Sequence, residues 1–136
     1  MHLEHLNLNV NSIENTLAFY RAAFPHWTIR DSGEDEAENS KWVHLGDDWQ
    51  FLTFNQNGDA DLTNKKDIHH GFGHMGYVVT ALDALVIRLS VAGFEGHHYG
   101  AQNPHRRNMY FYDPSGLEVE FVEYLSDIPG ERNSSD

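Results

Sequence analysis

The chain contains no cysteine, which excludes disulfide bonds and all thiolate chemistry, whether catalytic or metal-binding. It also has no apolar run approaching the roughly 20 residues that a membrane-spanning helix needs. The N-terminus does not show the charged and then apolar pattern of a secretory signal. These absences together predict a soluble, cytoplasmic protein with no membrane partner.

Basic residues are scarce. Nine Lys and Arg stand against 21 Asp and Glu, which gives a formal net charge of −12. Binding to nucleic acid needs clustered cations that neutralise phosphates, so a nucleic-acid partner is not expected. The ten histidines, by contrast, are many for 136 residues, and they are the side chains that ordinarily titrate near neutral pH.

The most informative stretch is NMYFYDPSGLEVEFVEY, residues 108–124. Asp113–Gly116 has the composition of a tight turn. Apolar and charged residues alternate after it, as in a half-buried strand. The stretch therefore predicts a hairpin whose second strand places Glu120 on the face opposite the apolar residues. A carboxylate at that position needs water, a cation or a ligand beside it.

The pattern of the first half of the chain returns in the second half. Each half predicts a strand, an amphipathic helix with a capping residue, and three further strands. One constant offset along the chain relates His5 to His74, the N-cap candidate Asn11 to Thr80, and Phe51 to Glu120. The duplication predicts an α+β fold of two tandem βαβββ modules, residues 1–57 and 69–125. Their curved, mostly antiparallel sheets would surround a cavity.

Two polar segments are expected to lie outside these elements. The acidic run 31–38 is predicted to be a solvated loop between strands. Residues 126–136 have too little apolar surface to pack and are predicted to form a flexible tail.

The order of these features resembles the vicinal oxygen chelate superfamily. That superfamily includes glyoxalase I, bleomycin-resistance proteins, fosfomycin-resistance enzymes and extradiol dioxygenases. The matching features are an early His5, the pair Phe19-Tyr20 in the first helix, the stretch Gly71-Phe72-Gly73-His74, and an Asp-Pro-x-Gly turn followed four residues later by Glu120. The resemblance implies a single domain of this type over residues 1–125.

The resemblance further implies a divalent metal ion held by His5, His74 and Glu120. Iron, manganese, nickel, zinc and cobalt are not distinguished. Two imidazoles and one carboxylate also form a triad that leaves coordination positions open for substrate. Glyoxalase I has a fourth protein ligand at the place that Phe51 occupies here. Phenylalanine cannot bind a metal, so glyoxalase I activity is disfavoured.

Strand alternation predicts which side chains share the face of Glu120 and line an aromatic cavity. Such a cavity suits a small, partly apolar substrate that carries two oxygens or one ionisable oxygen. An alternative is that the rings only fill the space between the sheets. Asn7 stands where the fosfomycin thiol transferases have threonine, which is a departure from those enzymes. The predicted substrate contacts are Asn7, Trp49, Phe51, Tyr110 and Tyr112. The other histidines, including His44, His97 and His98, have no partner at a motif spacing and are expected to be surface or supporting groups.

Three functions remain open. The first is a lyase, isomerase or transferase in which the metal acts as a Lewis acid and Glu120 takes part in catalysis. The second is an Fe(II) ring-cleaving dioxygenase with the same ligands. The third is a metal-free protein that sequesters its ligand, as in bleomycin resistance. By resemblance to relatives of this length, a homodimer is expected, with His5 from one subunit and His74 with Glu120 from the other.

Overall fold

The computed structural model of the protein describes residues 3–37, 39–57 and 73–132. Contacts between residues divide the chain into two compact units, Met1–Ile68 (unit 1) and His69–Asp136 (unit 2). Each unit contains one four-stranded sheet. Within the described ranges, no helix has the length and apolar character that crossing a membrane requires.

Unit 1 packs one helix on one face of its sheet. The strands lie in the order β1-β4-β3-β2, with β1 parallel to β4 and the other pairs antiparallel. Helix α1 contacts β3 and β4, and Tyr20 stacks on Phe54 with ring centroids 5.0 Å apart. Both rings are fully buried. The elements are β1 (His5–Asn9), α1 (Ile13–Ala23), β2 (Thr28–Asp35), β3 (Ser40–Gly46) and β4 (Phe51–Asn57).

Unit 2 repeats this arrangement with the order β5-β8-β7-β6 and a parallel β5–β8 pair. Helix α2 contacts β7 and β8 and buries Leu85 and Leu89 together with Phe111 and Phe121 of the sheet. The elements are β5 (His74–Val78), α2 (Leu82–Val91), β6 (His98–Tyr99), β7 (Arg106–Tyr112), β8 (Glu118–Tyr124) and α3 (Pro129–Arg132). The predicted α+β class with two similar modules is therefore confirmed.

The predicted hairpin joins β7 to β8. Asp113 is buried, and its Oδ1 accepts hydrogen bonds from the amides of Ser115 and Leu117, both at 2.9 Å. Gly116 has a φ of 77°, a conformation that glycine adopts without a steric penalty. The turn thereby fixes the start of β8 and, with it, the face on which Glu120 lies.

The helices begin one residue later than predicted. Ser12, and not Asn11, is the N-cap of α1, and its hydroxyl accepts a hydrogen bond from the Asn15 amide at 3.2 Å. Ala81, and not Thr80, precedes α2 and makes no side-chain cap bond. Asn11 and Ser12 have similar capping preferences, so sequence pattern does not separate them, whereas at α2 the favourable Thr80 is passed over for Ala81, which is a poor N-cap residue. Because both helices begin one residue later than predicted, their starts are still separated along the chain by the same number of residues as His5 and His74.

The last strands of the two units do not keep this offset. The first residue of β1 lies opposite Phe51, whereas the first residue of β5 lies opposite Glu118 and not Glu120. The predicted equivalence of Phe51 with Glu120 is therefore wrong, and the counterpart of Glu120 in unit 1 is Thr53. A shift of two positions leaves side chains on the same face of a strand, so the predicted face of Glu120 is unaffected.

Two segments of unit 1 also differ from prediction. The acidic run 31–38, predicted to be a loop, continues β2 as far as Asp35. An exposed edge strand tolerates charged side chains because its pairing needs only backbone groups, and here Glu34 pairs with Lys41 at 2.9 Å. Trp49, predicted to lie in a strand, instead belongs to the turn before β4 and is 78% exposed.

The part of the predicted flexible tail up to residue 132 makes defined contacts. The short helix α3 follows β8, and Arg132 donates from Nε to the Ser126 carbonyl at 2.9 Å. Its guanidinium also lies 5.0 Å from the centre of the Tyr124 ring. Arg106 of β7 donates to the Arg132 carbonyl at 3.1 Å. Polar composition alone did not indicate these attachments to the sheet.

Candidate metal and ligand site

His74 and Glu120 face each other on neighbouring strands of unit 2. Parallel pairing of β5 with β8 brings them together, and His74 Nε2 lies 3.2 Å from Glu120 Oε2. Two adjacent donors, each about 2.1 Å from one divalent ion, would be separated by about 3.0–3.4 Å. The pair therefore fits two neighbouring positions of a metal coordination shell.

Asn108 orients the Glu120 carboxylate. The Asn108 side chain is 9% exposed, and its Nδ2 donates a hydrogen bond to Glu120 Oε1 at 2.8 Å. This leaves Oε2 directed at His74. The backbone of Gly100 crosses Asn108 so closely that a Cβ on Gly100 would overlap with the Asn108 side-chain amide. Asn108 was not among the predicted site residues, and its hydrogen bond to Glu120 was not predicted.

Tyr110, a predicted substrate contact, borders this pair. Its hydroxyl lies 3.4 Å from Asn108 Nδ2, and its ring meets the His74 ring edge-on at 5.6 Å between centroids. Burial, followed by the negative charge of Glu120, raises the pKa of Tyr110. The phenol therefore stays protonated at neutral pH and is a hydrogen-bond donor there, not a base.

A pair of histidines that the sequence did not single out lies at the edge of the sheet. The His97 ring stacks on Tyr112 at 4.2 Å, and the His98 ring stacks on Tyr110 at 4.3 Å. His97 Nε2 is 3.3 Å from Glu118 Oε2. Nothing in the spacing of these histidines signals the contacts, because the contacts depend on the pairing of β6 with β7.

Each predicted metal-binding histidine has a carboxylate on the side of its Nδ1. His5 Nδ1 lies 3.0 Å from Glu4 Oε2, and His74 Nδ1 lies 3.7 Å from Glu118 Oε1. A carboxylate beside Nδ1 favours the tautomer in which Nε2 carries the free lone pair. For His5 this leaves Nε2 as the candidate ligand atom, whereas His74 also has Glu120 Oε2 beside its Nε2, at 3.2 Å.

In unit 1, His5 stands at one end of a row of aromatic side chains on β1, β4 and β3. His5 stacks on Phe51 at 4.8 Å with an angle of 12° between the rings. Phe51 contacts His44 at 4.9 Å, and His44 contacts Trp42 at 4.7 Å. These four residues are called the ring row below. Alternation predicted the place of Phe51 in this row, but His44 and Trp42 were not assigned to it.

The other predicted substrate contacts of unit 1, Asn7 and Trp49, lie outside the ring row. Asn7 lies two residues after His5 and accepts a hydrogen bond from Asn55 Nδ2. Thr53, opposite Asn7 on β4, is buried. Trp49 lies in the turn before the strand, where its amide donates to Asp47. It is therefore not part of the ring row.

The three predicted metal ligands are divided between the units, with His5 in unit 1 and His74 and Glu120 in unit 2. Over residues 3–37, 39–57 and 73–132, no three His, Asp or Glu side chains are grouped so that they could hold a metal ion. Each unit by itself therefore carries an incomplete set of ligands. The three-ligand site remains a prediction that requires a contribution from both units.

A family model described as the Glyoxalase/Bleomycin resistance protein/Dioxygenase superfamily matches residues 2–121. No curated protein sequence gives a significant match.

Several solved structures share the fold at low sequence identity. A glyoxalase family protein from Enterococcus faecalis superimposes with a TM-score of 0.75 at 18% identity, over 90% of this chain and 97% of that one. The fosfomycin resistance protein FosX from Listeria monocytogenes, complexed with Mn(II) and sulfate, gives 0.71 at 20% identity and covers 98% of both chains. The trypanothione-dependent glyoxalase I of Leishmania major gives 0.69 at 15% identity, over 90% of this chain and 86% of that one.

Proposed function

Since the chain belongs to the Glyoxalase/Bleomycin resistance protein/Dioxygenase superfamily, we propose that it is a divalent-metal-dependent enzyme acting on a small oxygen-bearing substrate. Its reaction would be of the lyase, isomerase or transferase type. The ligands are His5, His74 and Glu120. The observation that carries the proposal is the 3.2 Å approach of His74 Nε2 to Glu120 Oε2, made by a carboxylate that Asn108 already holds in place.

The chemistry of the site follows from this donor set. A divalent ion bound there supplies Lewis acidity toward substrate oxygens. Glu120 would be the catalytic residue, because as a ligand of that ion it would stand next to the substrate oxygens. Tyr110, kept protonated, is suited to donate a hydrogen bond to negative charge that develops on a substrate oxygen. Manganese is the first metal to test, because FosX was crystallised with Mn(II).

A metal-free sequestering protein is the second candidate. The ring row of unit 1 favours it, because a continuous aromatic surface can pack against a flat ligand without any metal. An Fe(II) ring-cleaving dioxygenase would use the same three ligands. It differs from the Lewis-acid enzyme because its reaction requires oxygen. In all three cases the expected partner is a small molecule.

Metal analysis of protein purified without a histidine tag tests the proposal directly. We expect about one divalent ion per chain after incubation with Mn(II), and turnover that continues without oxygen. Oxygen uptake on catechols by the iron-loaded protein would establish the dioxygenase instead. Absence of stoichiometric metal, with ligand binding unchanged in His5→Ala, would establish the sequestering protein.

The role of Asn108 gives a second prediction. Asn108→Leu keeps the side-chain volume but removes the donor to Glu120 Oε1, so Mn(II) affinity should fall by about 10–100-fold, as is usual for residues that orient a metal ligand. Isothermal titration with Mn(II) measures the change. The melting temperature of the metal-free variant reports separately on folding.

Gly100→Ala provides a matched test, because its Cβ would displace Asn108 without altering any polar group. In the wild-type background it should weaken Mn(II) binding, and in an Asn108→Ala background it should add little. Additive losses from the two substitutions, or unchanged metal affinity in Asn108→Leu, would show that Asn108 does not position Glu120.

A further inference from the structure

Strand β2 contains one extra residue, Arg30, relative to the strand it pairs with. The residues on either side of Arg30 lie opposite Leu45 and His44, which are adjacent in β3. Arg30 therefore has no pairing partner of its own, which is the arrangement of a β-bulge. Bulges re-aim side chains and occur often beside functional sites. In this bulge the Arg30 guanidinium lies 4.8 Å from the centre of the Phe51 ring.

The charge of Arg30 has no acidic partner within the described parts of the chain. Lys41 pairs with Glu34 at 2.9 Å, Arg107 contacts Glu123 at 2.5 Å, and Arg132 pairs with Asp127 at 3.0 Å. Among the same described residues, Arg30 makes only its contact with a ring, although the chain has 21 acidic residues against nine basic ones. A guanidinium presents a planar fork of N–H donors that matches a carboxylate. No carboxylate of residues 3–37, 39–57 and 73–132 pairs with the Arg30 fork, which suits it to the carboxylate of a ligand.

The side chains around Arg30 indicate which chemical class of ligand would bind there. The sheet order puts β4, and with it Phe51, between the strand of His5 and the strands that carry His44 and Arg30. At the far end of the ring row, Trp42 lies against Gly33 of β2 so closely that a Cβ there would overlap with the indole. The surface beside Arg30 therefore consists of aromatic rings, which pack best against a planar group.

We infer that Arg30 and the ring row bind a small planar organic acid, aromatic or unsaturated, whose carboxylate is held by the guanidinium. This rests on the proposed function in one respect, since His5 at the other end of the row is a predicted metal ligand. It adds the class of substrate: an acid whose carboxylate pairs with Arg30 in a bidentate manner and whose planar body lies along the rings. The contact with Phe51 stabilises the cation between turnovers.

Benzoate, benzamide and cyclohexanecarboxylate serve as probes in calorimetric titrations of the full, metal-free chain. Wild-type protein should bind benzoate more tightly than either analogue, since benzamide lacks the charge and cyclohexanecarboxylate lacks the planar ring. Arg30→Met should lower benzoate affinity at least about tenfold and leave benzamide affinity unchanged. Arg30→Lys should be intermediate, because lysine keeps the charge without the fork.

Arg21→Met is the matched control, because it removes an exposed cation from α1 of the same unit and should leave benzoate binding unchanged. Equal benzoate affinity of wild type and Arg30→Met, equal losses in Arg30→Met and Arg21→Met, or no benzoate binding by the wild type would each overturn the inference. Mn(II) titration of the same samples tests the proposed function separately. Arg30-dependent benzoate binding without a metal site would leave this inference standing and remove only the metal chemistry.

Discussion

Replacing Glu120 with glutamine is expected to reduce Mn(II) affinity by more than the roughly 10–100-fold that changes outside the ligand set cause. The substitution removes the negative charge that faces His74 Nε2 at 3.2 Å. The remaining amide oxygen can still accept the hydrogen bond from Asn108, so the local structure should persist. Isothermal titration with Mn(II), together with the melting temperature of the metal-free protein, separates lost affinity from lost folding.

Glu95→Gln is the control for this substitution. It makes the same charge change in unit 2 at an exposed residue that bonds to the Ser90 hydroxyl at 2.8 Å, and it should leave Mn(II) affinity at the wild-type value. If Glu120→Gln also kept the wild-type affinity, Glu120 would not be a ligand. The proposed metal site would then have to be abandoned, whatever metal the protein carries.

Mixing two inactive variants is expected to restore metal binding if the site is shared between subunits. His5→Ala removes the proposed ligand of unit 1 and Glu120→Ala removes a proposed ligand of unit 2, so each variant alone should bind no stoichiometric Mn(II). In a twofold dimer whose sites combine unit 1 of one subunit with unit 2 of the other, a mixed dimer holds one site with both defects and one native site. Random exchange makes half of the dimers mixed, so about a quarter of all sites should recover.

The recovered fraction is measured by Mn(II) titration after the variants are unfolded and refolded together. Samples of each variant refolded alone provide the baseline. A chain that completes its own site would show no recovery on mixing, because every site would keep the defect of its own chain. That result would exclude the shared-site dimer and leave the ligand assignments unaffected.

Local patterns were sufficient to predict the architecture. Alternation after the Asp113–Gly116 turn predicted β8 and the face of Glu120, and the repeated strand–helix pattern predicted two similar units. These predictions succeeded because the period of apolar residues is set by the backbone geometry of each element, whatever lies next to it. The helix starts, by contrast, were displaced by one residue; at α1 the neighbours Asn11 and Ser12 have similar capping preferences, and at α2 the start makes no side-chain cap bond at all.

The arrangement around the site depended on pairings between strands that are distant in sequence. The approach of His74 to Glu120, the hydrogen bond from Asn108 and the bulge at Arg30 all follow from register, and register is a property of two strands together. Extrapolating a constant offset along the chain therefore matched Phe51 with Glu120, whereas the sheet pairs put Thr53 in that place. The amino-acid sequence by itself determined which side chains point to which face, because alternation is local. Only the tertiary structure decided which of those side chains meet, because each contact needs the backbone hydrogen bonds of a second strand to set its position.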